Sequence, residues 1–267
     1  MNTNIITPIA KKEVIDNCKN WWLIAVTLLF CIINIGIINF NSNFNGFSNQ
    51  GKPQAILMSL TSVQMYLIPL FSLMISYDSI LKERELGILK MLLSYPLNTS
   101  DLLLGKWLGD VILISFVIVI SFIYPISTLI QSGVSISSII PVILSCILLG
   151  AVFISIGTLI STLSIDRTLV IGTSIIIWLI FIFLFDLSFV LIVVYTNGKV
   201  SPESLNYILL LNPIDMFRVF NIIINYSSNT QEFYGIGTGV LQFFYCLIDL
   251  ICWAFIPLMI SIRKKIS

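Results

Sequence analysis

From Trp21 onward the chain alternates long apolar runs with short polar breaks. Six runs stand out, near 21–39, 56–77, 107–130, 139–163, 169–195 and 237–262. Each reaches the roughly 18 residues a helix needs to cross about 30 Å of hydrocarbon. The runs are continuous rather than alternating, which favours helices over a barrel; lipid allows no third way to satisfy the backbone. Asn34, Ser121 and Thr173 interrupt the runs without adding charge. The pattern predicts an all-α membrane protein with six transmembrane helices.

The breaks between runs carry their own signals. "IAKKEVIDNCKNWW" within residues 1–22 reads as an interfacial helix over 1–20 that feeds the first span, with Trp21 and Trp22 where an aromatic belt would stand. Because the following run continues at spanning length with no evident small-residue cleavage site, no cleavable signal peptide is expected. Residues 40–55 are rich in Asn, Ser and Gly and read as an irregular loop; 131–138 and 162–168 read as short turns, the latter carrying Asp166 and Arg167. The long piece 196–236 is more structured. Ser201-Pro202-Glu203 resembles a helix cap with proline at the first helical position. Two short apolar stretches divided by Asn212-Pro213 then predict a re-entrant or interfacial helical hairpin, each arm too short to span.

The net charge of +1 says little, but its distribution orients the chain. With the N-terminus inside, Lys11, Lys12, Lys19, Lys82, Arg84, Lys90, Lys106, Arg167, Arg263, Lys264 and Lys265 are cytoplasmic. Only Lys52, Lys199 and Arg218 face outward, so the positive-inside rule places both termini in the cytoplasm.

Composition also excludes chemistry. Histidine is absent, which removes His-based triads and the ordinary zinc sites. No GxxxxGK[ST] loop occurs, so P-loop binding of ATP by this chain is not expected. Cys18, Cys31, Cys146, Cys246 and Cys252 are scattered and read as packing residues, as do Met58 and Met65. No metal site, catalytic residue or cofactor is expected in the chain. Two acids, Asp186 and Asp249, fall within spans with no paired intramembrane base in sight. Hydrogen bonding between helices is the plainer account of them and a proton or ion path the sharper one. Asp78 and Asp110 sit near inner span ends, where no special role is required.

One interruption differs in kind. "KERELGILKMLLSYPLN", 82–98, places four consecutive charges between spans two and three. Leu86, Leu89 and Leu93 share one helical face, and Glu83 and Lys90 another. Pro96 ends the segment, and Asn98, Thr99, Ser100 and Asp101 offer caps for the next helix. An amphipathic cytoplasmic helix is predicted across 82–98.

The stretch "YDSILKERELGILKMLLSYPLNTSDLLLGKWLGD" resembles the first cytoplasmic loop of ABC-2 transporter permeases, on Glu83, Glu85, Gly87, Leu92, Leu93, Ser94, Pro96, Gly105 and Lys106. Ile88 stands where that class more often has Thr or Ser. The resemblance implies a single ABC-2 permease domain over 1–267 in the inner membrane, surrounded by lipid and with no nucleic-acid partner. It also implies that 82–98 is a coupling helix docked on a cytoplasmic ATPase, which binds the ATP and Mg. The docking residues would be Glu83, Arg84, Glu85, Leu86, Gly87, Leu89, Leu92, Leu93 and Pro96. "FDLSFVLIVV" and "NGKVSPESLNYILLLNPIDMFRV" look more narrowly like permeases of the Nos copper-processing transporters, which serve nitrous oxide reductase maturation. That resemblance implies a homodimer, a NosF-like ATPase below and a NosD-like periplasmic β-helical copper-handling protein above. Ser201, Pro202, Glu203, Asn212, Pro213, Asp215 and Arg218 would form the periplasmic contact. Alternatives are an ABC-2 exporter of a drug, lipid or ion, and a proton-coupled secondary transporter using Asp186 and Asp249; no inverted repeat is evident for the latter.

Overall fold

The structure, a computed structural model, describes residues 3–44, 52–88, 98–164, 166–197, 208–225 and 239–264. Every regular element among them is helical. The order is α1 (Thr3–Cys18), α2 (Trp21–Phe44), α3 (Lys52–Ser76), α4 (Asp78–Glu85), α5 (Thr99–Gln131), α6 (Ile136–Leu163) and α7 (Arg167–Leu179). A π-helical turn (Ile180–Leu184) follows, then α8 (Phe185–Tyr195), α9 (Pro213–Asn225) and α10 (Gly239–Arg263). Six segments among the described residues are long and apolar enough to cross a membrane: Trp21–Phe40, Gln54–Glu85, Thr99–Gln131, Ile136–Leu163, Arg167–Tyr195 and Phe243–Arg263. They match the six expected spans, the fifth running through α7, the π turn and α8.

Helix α6 lies at the centre, packed against α3, α5, α9 and α10. Its residues from Leu149 to Ser161 are almost all buried. Lipid tails are as apolar as leucine, so packing and interhelical hydrogen bonds, rather than expulsion of water, hold spans together. Both are present. Phe30, Phe122 and Phe153 are fully buried. Asn34 donates to the Ser121 carbonyl at 3.1 Å and accepts from Gln64 Nε2 at 2.9 Å, tying α2, α3 and α5. Asn34 thus meets the backbone of Ser121, whose own hydroxyl donates to the Ile118 carbonyl at 2.8 Å.

Span five is the outlier. Only Val170, Ser174 and Ile182 are buried along it, while Ile176, Phe183, Leu187 and Leu191 stand open. The π turn leaves a carbonyl without its usual helical donor, and that carbonyl is used below.

Two expected elements take a different form. The helix expected over 82–98 is broken: Lys82–Glu85 complete α4, Leu86 caps it, and Gly87 takes φ +70°. That left-handed conformation suits glycine and stops a helix. Leu86 and residues beyond Gly87 therefore do not share one continuous helical face; 89–97 lie outside the described residues. The capping expected at α5 is also absent, since Asn98 occupies the N-cap position without a side-chain bond. In the long outer piece, α9 is driven into the bundle rather than laid across it. Ile214, Met216, Phe217, Phe220 and Ile223 are buried against α3, α6 and α10. Of the hairpin expected over 196–236, residues 198–207 and 226–238 lie outside the described residues.

Candidate functional site

The charged residues gather at two places. At the end of the bundle rich in Lys and Arg, hereafter the basic end, α4 carries Asp78 in its first turn and Lys82 and Arg84 in its last, the arrangement a helix dipole favours. Its side chains reach three other elements. Glu83 Oε1 meets Lys106 Nζ of α5 at 3.0 Å. Arg84 donates to the Ser164 carbonyl, at the end of α6, at 2.8 Å. Glu85 and Asp78 both face Arg167 of α7, at 3.6 and 3.3 Å.

Lys106 is the hub. Only 2% exposed, it pairs with Glu83, with Glu13 of α1 at 3.0 Å, and with the Ser79 carbonyl at 2.7 Å. The glycines on either side bring α1 close enough to allow this. A Cβ at Gly105 would lie 2.8 Å from Ile9 Cβ, and one at Gly109 would lie 2.8 Å from Glu13 Cβ. The Gly-Lys step that resembles the family pattern thus has a local physical reason: glycine for the approach, lysine for the charge it meets. Asp110 departs from expectation. It is fully buried, the Ser79 hydroxyl beside it, and among the described residues neither carboxylate oxygen has a well-formed hydrogen bond, so solvent is not close. Asp78, by contrast, is paired with Arg167.

The candidate coupling residues therefore divide. Glu83, Arg84 and Glu85 are engaged within the chain, while Leu86 beyond them is 63% exposed, with Ile88 also open. Leu89, Leu92, Leu93 and Pro96 lie outside the described residues.

At the opposite end, Asn212-Pro213 begins α9. Asn212 Oδ1 accepts the Ile214 N–H at 3.0 Å, and Asn212 Nδ2 donates to Asp215 Oδ2 at 2.8 Å. Pro213 occupies the first helical position, where no donor is missed. The cap-plus-proline signal expected at Ser201-Pro202 is thus found here, whereas Ser201, Pro202 and Glu203 lie outside the described residues. Asn212 also donates to the Phe181 carbonyl at 2.9 Å, satisfying an oxygen of the π turn. Arg218, one turn on, pairs with Asp215 at 3.3 Å and with Asp186 of α8 at 3.2 Å.

Asp186, read from sequence as lacking a basic partner, therefore has one. Arg218 was assigned to an outer hairpin and Asp186 to a span, and linear spacing could not join them. Asn212 and Asp215 turn their side chains inward and are buried; Arg218 is the most open of the described members of the outer set, its side chain 40% exposed. Asp249, the other intramembrane acid, keeps Oδ2 buried without a partner among the described residues. Among the described residues no group of three or more His, Cys, Asp or Glu could hold a metal ion.

Six segments long and apolar enough to cross a membrane, with a charged elbow anchored at one end, make this a multi-pass membrane protein. It matches the ABC-2 family transporter protein over residues 7–264 and belongs to that family. It is 34% identical over 234 residues, 82% of each chain, to a Pseudomonas aeruginosa protein named "Probable ABC transporter permease protein NosY". A Stutzerimonas stutzeri protein of the same name is 33% identical over 226 residues, again 82% of each chain. The chain is thus an ABC transporter permease subunit.

Proposed function

We propose that this permease couples ATP hydrolysis in a partner ATPase to a process on the far side of the membrane, as a homodimer within a Nos-type transporter. That process is copper delivery for nitrous oxide reductase maturation, handled by a periplasmic β-helical partner. The reading is supported by the likeness to two permeases named NosY and, above all, by the anchoring of α4. Its charges are tied directly to α5, α7 and the end of α6, and through Lys106 to α1, while Leu86 and Ile88 stay open at its end. An apolar contact there, on a base that cannot swivel, passes a displacement to four helices at once. Span five would carry it to α9 through Asp186–Arg218 and the Asn212–Phe181 bond. Arg218 and the segment around Ser201-Pro202-Glu203 would meet the partner.

Leu86→Asp together with Leu89→Asp and Leu93→Asp should abolish co-purification of the ATPase while the permease remains in the membrane. Recovery of a P-loop ATPase with a secreted β-helix protein by affinity purification and mass spectrometry supports both faces. Undiminished recovery of the ATPase with the triple variant defeats the coupling assignment.

A further inference from the structure

A cavity of ≈ 290 Å³ lies at the basic end, where α1 meets α2, α3 meets α4, and α7 begins. Its volume falls at the low end of the roughly 300–1,000 Å³ typical of small-molecule sites. The lining is divided. Leu23, Met74, Ile75 and Leu113, from three spans, give an apolar side; Asn17, Asn20, Trp22, Asp78 and Arg167 give a polar one. Trp22 and Arg167 stand at the very starts of spans one and five, so the cavity sits at the level where lipid headgroups begin.

We propose that this cavity binds a phospholipid through a phosphoethanolamine headgroup. Three sources of N–H donors line it. Arg167 is half exposed and keeps donors beyond its contacts with Tyr77, Asp78 and Glu85. Asn20 uses its oxygen to cap Trp22, and its amide nitrogen donates to nothing among the described residues. The Trp22 indole N–H is likewise without an acceptor among them, on a side chain that is nearly half exposed. Together they suit a phosphate, with Arg167 supplying the charge. Asp78, beside Arg167 at 3.3 Å, is the acceptor for a primary ammonium. The cavity thus presents one cation and one anion side by side, the complement of a zwitterion. A headgroup with net negative charge would leave its excess charge facing Asp78. A quaternary ammonium offers Asp78 no N–H, and binding one by cation–π contact calls for an aromatic cage that a single Trp22 does not make. The acyl chains have a path, since the exposed Leu29 stands two turns along α2 from Trp22 on the same face.

The test uses the full-length permease in detergent and follows thermal unfolding against short-chain phosphatidylethanolamine, phosphatidylcholine and phosphatidylglycerol, with free phosphoethanolamine as a fourth probe. Phosphatidylethanolamine should raise the midpoint at a concentration several-fold lower than the other two lipids, and free phosphoethanolamine should do nothing. Arg167→Gln should weaken the response to every lipid by roughly tenfold or more, the scale of one charge-assisted hydrogen bond. Asp78→Asn should remove the preference for phosphatidylethanolamine over phosphatidylglycerol. Trp22→Phe, which keeps the ring and deletes only the donor, should weaken all three lipids; with Asp78→Asn it carries the test if Arg167→Gln does not fold. Equal stabilisation by the three lipids, a preference for phosphatidylglycerol, an equal effect of free phosphoethanolamine, or an unchanged response in these variants would each overturn the site. None of these outcomes bears on ATPase coupling.

Discussion

Arg218 of α9 and Asp186 of α8 lie 3.2 Å apart and tie a short, largely buried helix to the most exposed span of the bundle. The same guanidinium reaches Asp215 at 3.3 Å, so one cation serves two carboxylates, one half open and one buried. Arg218→Gln therefore has unequal consequences. Losing the Asp186 contact alone leaves Arg218 paired with Asp215. Leaving Asp215 buried without its cation costs more, on the order of 1–3 kcal/mol. Thermal unfolding should show Arg218→Gln lowering stability more than Asp186→Asn does. Adding Asp215→Asn to Arg218→Gln should restore part of the loss. Equal effects of the two single changes would show that Asp215 does not depend on Arg218.

What could be read from sequence follows from range. Span number and place were legible because an apolar run is a local signal that lipid enforces residue by residue. The mid-span polar residues showed only as interruptions; that Asn34 answers Ser121 and Gln64 depends on which helices become neighbours, which the pattern does not encode. Arg218 and Asp186, 32 positions apart, were separated for the same reason. Gly87 misled differently. The leucine spacing suggested one helix across it, and the glycine was a local stop signal that the periodicity overrode. At the coupling elbow, resemblance picked out Gly105 and Lys106, while their use against α1 emerged only from the packing.

Lys106 holds Glu13 and Glu83 at 3.0 Å each in a nearly sealed site. Lys106→Met would leave two carboxylates facing each other without their cation, and breaking a buried pair from one side costs about 3–5 kcal/mol. The expected result is a large drop in thermal stability with proteolysis beginning in α1, the element held from one side only. Adding Glu13→Gln and Glu83→Gln should recover much of the loss, because the uncompensated charges are then gone. If Lys106→Met leaves α1 as resistant to protease as the parent, the ion pairs do not hold that helix.

The last expectation separates shape from charge at the same contact. Gly109 lets α1 approach α5 so closely that a Cβ there would meet Glu13 Cβ at 2.8 Å and the Ala10 carbonyl at 3.1 Å. Neither neighbour is the tip of a flexible chain: one is the first side-chain carbon and the other is backbone. Gly109→Ala must therefore push α1 outward by several tenths of an ångström, with an overpacking cost of about 1–3 kcal/mol. Helix propensity alone would have made the change favourable by up to about 1 kcal/mol. Moving α1 also draws Glu13 away from Lys106, so the cost of Gly109→Ala should shrink in the Lys106→Met, Glu13→Gln, Glu83→Gln background, where no ion pair remains to be stretched. Gly36, whose Cβ would meet nothing within 4 Å, supplies the control: Gly36→Ala should be neutral or mildly stabilising. A Gly109→Ala variant as stable as Gly36→Ala would mean that α1 is not held at the distance this contact requires.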